Sequence, residues 1–238
     1  VADVAARLPL VLVPGLLCNE LLWAPQSEAL ADIAAPWLAD TMRHDNFPDM
    51  AAALLAAAPP GPFALAGLSM GGYVALEVMR QAPQRVARLA LLDTNAHPDT
   101  PEKRKARQDF IALAERGRFL GVTDALLPLL VHPDRLQDAT LVATIKTMAK
   151  QVGVEAFVRQ ERAIMDRIDS RPHLPAIRCP TLVLCGRDDR LTPLDAHEEI
   201  ARGIPHAELA VIDDCGHLST LERPEPVNAA LRRWLTCA

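Results

Sequence analysis

The chain has 238 residues, half of them hydrophobic and 23% charged, with a formal net charge of −5. That composition argues against a disordered chain, and the acidic balance gives no global attraction to nucleic acid or an anionic membrane. The length fits one core domain carrying an insertion.

Leu10–Val13 is a short continuous apolar run stopped by Pro14-Gly15, the pattern of a buried strand in a parallel sheet. The wider stretch Leu8–Leu17 does not read as a secretory signal. Pro9, Pro14 and Gly15 interrupt it, only Arg7 gives it a basic flank, and no small-residue cleavage site follows. Leu21–Ile33 has helical apolar spacing, and Trp37–Asp40 reads as a second strand. Asp49–Ala58 reads as a helix with a hard stop at Pro59-Pro60-Gly61-Pro62. Phe63–Ala66 is the next strand, followed by Gly67-Leu68-Ser69-Met70-Gly71-Gly72 and a helix over Tyr73–Gln81. Val86–Leu92 is another apolar strand. This alternation predicts an α/β fold with a doubly wound, mostly parallel sheet.

From 98 to 172 the strand signals vanish and helical periodicity takes over, so this segment is expected to be a helical insertion between core segments 1–97 and 173–238. Its basic run, Lys103, Arg104, Lys105 and Arg107, lies between Glu102 and Asp109 and reads as a solvated helix face; the sharper alternative is a docking patch for an acidic partner. Strands resume at Thr181–Cys185 and Leu209–Ile212, with helices at Leu194–Ala201 and Pro226–Trp234. No run reaches the ~18 apolar residues of a membrane span. The five cysteines are odd in number and form no CxxC pair, which signals neither a disulfide framework nor a zinc site and suits a reducing cytoplasm. Cys185, inside an apolar run, is expected to be a small buried hydrophobe.

Gly67-x-Ser69-x-Gly71 carries the strongest chemical signal. A serine on a sharp strand-to-helix turn needs small neighbours, and the turn aims both its hydroxyl and the helix N-terminus at a reacting atom. A serine hydroxyl needs a base to become a nucleophile. In this architecture the chain order is serine, acid, histidine, which among seven histidines selects His217, after the last strand. The acid should follow the preceding strand, where Asp188 and Asp189 compete and spacing does not choose between them. Asp93, ending the Val86–Leu92 strand, is a third candidate for the acid, although a helix-capping or turn role fits it better. An oxyanion needs preorganised donors. The Met70 backbone N–H is one, and the Leu16 N–H, beside the permissive Gly15, is the other. Asn19, His44 and His97 are candidates to reach the pocket, although each reads better as a surface or turn residue.

Together these residues resemble the α/β-hydrolase superfamily over nearly the whole chain. The family's acid motif, Gly-x-x-Asp-x-x-x-Pro, maps onto Gly186, Asp189 and Pro193, so the resemblance implies Asp189; its closing Gly-His maps onto Gly216-His217. Its oxyanion loop is Val13-Pro14-Gly15-Leu16 with Trp23 downstream, Pro14 standing where a histidine is usual. The insertion is where the family places its cap. With about nine residues before the first strand, and so no room for the N-terminal hairpin of larger members, the chain resembles the compact branch of small esterases, enol-lactonases, carrier-protein methyl esterases and hydroxynitrile lyases. Relatives that open epoxides or remove halide place Asp at the elbow, so Ser69 implies acyl chemistry on an ester, thioester or lactone. The resemblance implies no metal or organic cofactor and a small-molecule ester as substrate, with a carrier protein as an alternative partner. The rival readings are a different reaction on the same residues (C–C hydrolysis, lyase chemistry or perhydrolysis) and a ligand receptor without turnover.

Overall fold

A computed structural model describes residues 7–237. The expectation that no hairpin precedes the first strand bears on residues 1–6, outside the described residues.

The first strand, β1 (Leu8–Val13), ends in four buried residues because helices cover both faces of the sheet. After it, Asn19 accepts the Leu21 N–H at 3.1 Å and starts a short 3-10 turn, Glu20–Trp23, that leads into α1 (Ala24–Ala29). The single helix expected over Leu21–Ile33 is thus two short pieces. Pro25 would clash with the Leu21 carbonyl in a continuous α-helix, so it sits in the first turn of α1 instead. The second strand, β2 (Ala34–Leu38), starts three residues before the expected one. It lies at a sheet edge, where Pro36 is tolerated because its missing N–H faces away from the ladder.

Next, α2 (Phe47–Ala57) starts at Asn46, whose side chain accepts the Asp49 N–H at 2.8 Å. The fully buried β3 (Phe63–Leu68) runs into α3 (Met70–Gln81), and β4 (Val86–Leu92) follows. Between β4 and the next strand the described residues form only helices: α4 (Pro101–Glu115), α5 (Leu127–Leu130) and α6 (Ala139–Met165). The last is broken at Gly153, whose φ of 77° no α-helix contains. Then come β5 (Thr181–Gly186), α7 (Leu194–Gly203), β6 (Glu208–Ile212), α8 (Ser219–Glu222) and α9 (Pro224–Thr236).

The six strands lie in the order β2-β1-β3-β4-β5-β6, and every neighbouring pair is parallel. Alternate residues feed two cores. Val11, Val13, Leu65, Leu89 and Val183 pack with α2 and α3 residues such as Met50, Leu54, Val74 and Val78. Leu10, Leu12, Ala66, Leu92 and Leu184 face Leu30, Val227, Leu231 and Trp234. Each large side chain taken from water here contributes about 1.5–3 kcal/mol. From β1 the chain winds to one side, to β2, and then returns to the other side with β3. Such a switch opens a crevice at the carboxyl ends of the strands, where ligands of open α/β sheets bind.

A buried ion cluster joins the two ends of the helical segment to each other. Asp99, 1% exposed at its side chain, meets Arg107 at 2.6 Å and Arg167 at 2.7 Å, and Arg107 also meets the buried Glu161 at 2.6 Å. Arg107 is therefore not the solvated residue expected from its basic run, whereas Lys103, Arg104 and Lys105 are exposed. Arg167 stacks over the Tyr73 ring and donates to the His97 carbonyl, and the Ser170 N–H donates to the Ala96 carbonyl, so the segment's two connections are stitched together. None of the helices in the described residues is long and apolar enough to cross a membrane. All five cysteines are free, and Cys185 is fully buried in β5.

Candidate active site

The crevice is built around one strained residue. Ser69 has φ 56° and ψ −117°, a left-handed φ that a residue with a Cβ adopts only under constraint. The constraint is steric and comes from the neighbouring glycines. A Cβ at Gly67 would lie 2.2 Å from the Gly71 carbonyl oxygen, and one at Gly71 would lie 2.1 Å from the Val13 carbonyl oxygen. Strand, helix and the end of β1 touch there through backbone alone. The Ser69 N–H donates to the Leu92 carbonyl at 2.9 Å, and the Thr94 hydroxyl donates to the Ser69 carbonyl at 2.8 Å.

The structure brings Ser69, His217 and Asp189 together. Ser69 Oγ lies 2.8 Å from His217 Nε2, and His217 Nδ1 lies 2.8 Å from Asp189 Oδ2. Asp189 also accepts the Leu191 N–H (2.8 Å), the Thr192 N–H (3.0 Å) and the Thr192 hydroxyl (2.6 Å). Asp188, the competing carboxylate, is exposed and lies 3.7 Å from His132. Burial raises the Asp189 carboxyl, but the imidazole and these donors outweigh it and hold it below the ordinary carboxylate value. Burial likewise disfavours a charged His217, yet the facing Asp189 reverses that and leaves it above the usual 6.5.

Two backbone N–H groups flank Ser69. Met70 opens α3, so its N–H has no partner within the helix. The Leu16 N–H follows Gly15, which packs with no side chain to spare: a Cβ there would lie 3.2 Å from the Leu68 carbonyl oxygen and 3.4 Å from Ser69 Cβ. Neither N–H donates to an acceptor among the described residues.

Further groups hold this arrangement. Asp93 is fully buried with φ 45° and accepts the Gly186 N–H (3.0 Å) and the Ser219 N–H and hydroxyl. It meets the first N–H of α8 from outside that helix, and it ties the ends of β4 and β5 to the segment after His217. Burial, and then the nearby Asp189 charge, push its carboxyl up to about 8. His197, also fully buried, accepts the Thr94 N–H at Nε2 (2.8 Å), leaving Nδ1 to donate to the Pro193 carbonyl (3.3 Å). Burial lowers it to about 4 despite the Pro193 bond, so it stays neutral and fixes Thr94 under the Ser69 turn. The buried Glu222 accepts the Gly216, Leu218 and His132 N–H groups. Asn19 is buried rather than on the surface, and His97 pairs with Glu199.

A cavity of about 370 Å³ lies on the far side of Tyr73, lined by Glu77, Arg80, Asn95, His97 and Arg167 among others; none of Ser69, Asp189 or His217 reaches it. Among the described residues there is no cluster of three or more His, Cys, Asp or Glu side chains that could hold a metal ion.

Residues 23–224 match the alpha/beta hydrolase fold family. An esterase from Thermogutta terrifontis superposes with a TM-score of 0.88 at 32% identity, covering 97% of this chain and 90% of that one. A pimeloyl-[acyl-carrier protein] methyl ester esterase from Aromatoleum aromaticum is 29% identical over 194 residues, 70% of this chain and 71% of its own. A 2-hydroxy-6-oxononadienedioate/2-hydroxy-6-oxononatrienedioate hydrolase from Paraburkholderia phymatum is 30% identical over 180 residues, 72% of this chain but only 61% of its own length. With a parallel sheet, a serine on the turn after its third strand and this family match, the chain belongs to the alpha/beta hydrolase fold family.

Proposed function

We propose that the protein is a serine hydrolase that cleaves a carboxylic ester, or the related thioester or lactone, through an acyl-enzyme on Ser69. One observation carries the reading: an unbroken relay of 2.8 Å steps from Asp189 through His217 to Ser69 Oγ, with the partnerless backbone N–H groups of Met70 and Leu16 at the Ser69 end.

The steps follow from the geometry. His217 Nε2 takes the Ser69 proton as Oγ bonds to the substrate carbonyl carbon. The charge moving onto the carbonyl oxygen is met by the Leu16 and Met70 N–H groups, donors already oriented before reaction. His217 then passes its proton to the leaving alcohol, thiol or lactone oxygen as the acyl–heteroatom bond breaks. Water enters, His217 removes a proton from it, and the resulting tetrahedral centre collapses to release the acid and restore the Ser69 hydroxyl. Asp189, held ionised by its four donors, keeps Nδ1 protonated and steadies the imidazolium.

The helical segment 98–172 acts in this reading as a cap over the site. Its Leu130 carbonyl accepts the His217 and Leu218 N–H groups, and its Ala149, Val152, Ala156 and Phe157 pack on Leu17. Those apolar contacts fit a small or medium-sized acyl substrate. The esterase names of two relatives point the same way. Short-chain p-nitrophenyl esters and a fluorophosphonate probe test the proposal. Turnover and labelling by the parent, both abolished in Ser69→Ala, are expected. A folded parent that neither labels nor turns over refutes the proposal and favours a ligand receptor.

A further inference from the structure

The donor Leu16 sits on a turn that does not hold its own shape. The Cys18 N–H closes that turn onto the Gly15 carbonyl at 3.1 Å, and Leu17, its third residue, has φ 58°. Left-handed backbone is unfavourable for leucine, whose Cβ then crowds the following carbonyl. Turns of this shape ordinarily place glycine or asparagine there. An outside contact must keep Leu17 in place.

That contact comes from α6. The Leu17 N–H donates to Gln160 Oε1 at 3.1 Å, and Gln160 is fully buried. The other end of the amide is anchored too: Nε2 donates to the Thr41 carbonyl at 3.3 Å and lies 3.4 Å from the Thr41 hydroxyl. A fully buried amide is costly unless its hydrogen bonds are made, so packing alone does not call for one here. A second bond between the same partners, from Asn19 Nδ2 to Gln151 Oε1 at 2.6 Å, joins the loop to the other half of α6.

We infer that Gln160 is a positioning residue for the oxyanion donor. By gripping the peptide next to the one that carries the Leu16 N–H, it holds that N–H against Ser69. The inference rests on the serine-hydrolase reading above. It also makes the donor depend on how α6 is seated, so a substrate that shifts α6 shifts the donor.

Gln160→Met keeps the volume and removes both bonds; Gln160→Glu keeps an acceptor for the Leu17 N–H. With a p-nitrophenyl ester, Gln160→Met is expected to lose about tenfold or more in kcat while KM changes little, because the lost stabilisation belongs to the transition state. Affinity for a trifluoromethyl ketone, whose adduct carries the oxyanion, should fall by the same factor. Gln160→Glu should recover most of both. Thr41→Val, which removes only the hydroxyl behind the amide, should leave kcat near the parent. Should Gln160→Met fail to fold, Gln160→Asn, too short to reach Leu17, must show the same loss. A folded variant without the Leu17 bond that keeps parental kcat and inhibitor affinity overturns the inference. So does a Gln160→Glu as impaired as Gln160→Met. In both cases a working parent leaves the hydrolase reading intact, whereas an inert parent refutes that reading and this one with it.

Discussion

Replacing Gly71 by alanine puts the elbow to its hardest test. The added Cβ would stand 2.1 Å from the Val13 carbonyl oxygen, 2.8 Å from the Val13 carbonyl carbon and 2.9 Å from the Pro14 carbonyl oxygen. Contacts of this kind essentially never fall below 3.0 Å, so the shortest is about 0.9 Å too close. No flexible side chain can absorb the difference, because every atom met is backbone and β1 is locked between β2 and β3. Helix α3 must therefore back away by on the order of 1 Å, carrying Met70 and Ser69 with it. Misplacing reacting groups by that distance costs about 100-fold in rate, and overpacking of this kind costs about 1–3 kcal/mol of stability. Steady-state hydrolysis of a p-nitrophenyl ester and urea unfolding measure the two effects separately. Gly61→Ala is the control: its φ of 82° makes any side chain unfavourable, yet no atom lies within 4 Å of the new Cβ, so it should lose stability and keep its rate. A Gly71→Ala enzyme with parental kcat/KM would refute the assignment of this backbone contact to the reaction.

The pH profile follows from His217, which must be neutral to accept the Ser69 proton. Its raised value means that kcat/KM falls as pH drops through a midpoint above 6.5, and Asp189→Asn, lacking the charge that raises it, should lower kcat by about 10⁴-fold; a rate independent of pH from 5 to 8 would contradict this. Asp93 has the opposite linkage. The unfolded chain releases this proton near pH 3.8 and the folded one near 8, so the group erodes stability as pH rises between the two; Asp93→Asn should lose stability less steeply than the parent across that window, and parallel urea-unfolding curves would exclude the idea. Arg107→Met leaves Asp99 and Glu161 buried beside one fewer cation and should destabilise the fold by about 3–5 kcal/mol, which denaturant melts will resolve; a loss under 1 kcal/mol would mean that water reaches the pair.

The strands were legible in the sequence because strands of a buried parallel sheet are unbroken apolar runs, as at Phe63–Leu68 and Thr181–Gly186. At β2 that signal fails, since an alanine-proline edge strand shows no such run before Trp37. Ser69, Asp189 and His217 could be picked out because each follows a strand at the same end of the sheet. Between Asp188 and Asp189 strand spacing is silent and the family's acid motif carries the choice; in the structure the turn directs Asp189 inward against Thr192 and Asp188 toward solvent. Thr94, His197 and Gln160 gave no local signal. They bond Ser69, Thr94 and Leu17 across 25, 103 and 143 residues of chain, pairings that tertiary structure alone creates. Arg107 misled for the converse reason, because its basic neighbours are solvated and its own burial depends on Asp99 and Glu161 arriving from elsewhere.

Pro36 in β2 bears on how the molecule behaves in a crowd. An outermost strand offers its free backbone row to any passing chain, and self-association through such rows is the ordinary route from a parallel sheet to aggregates. A residue with no N–H removes a donor from that row in the middle of a five-residue strand. The opposite border, β6, is equally short and begins with the exposed Glu208. Both margins of the six-stranded sheet among the described residues are thus poor templates for pairing with another chain.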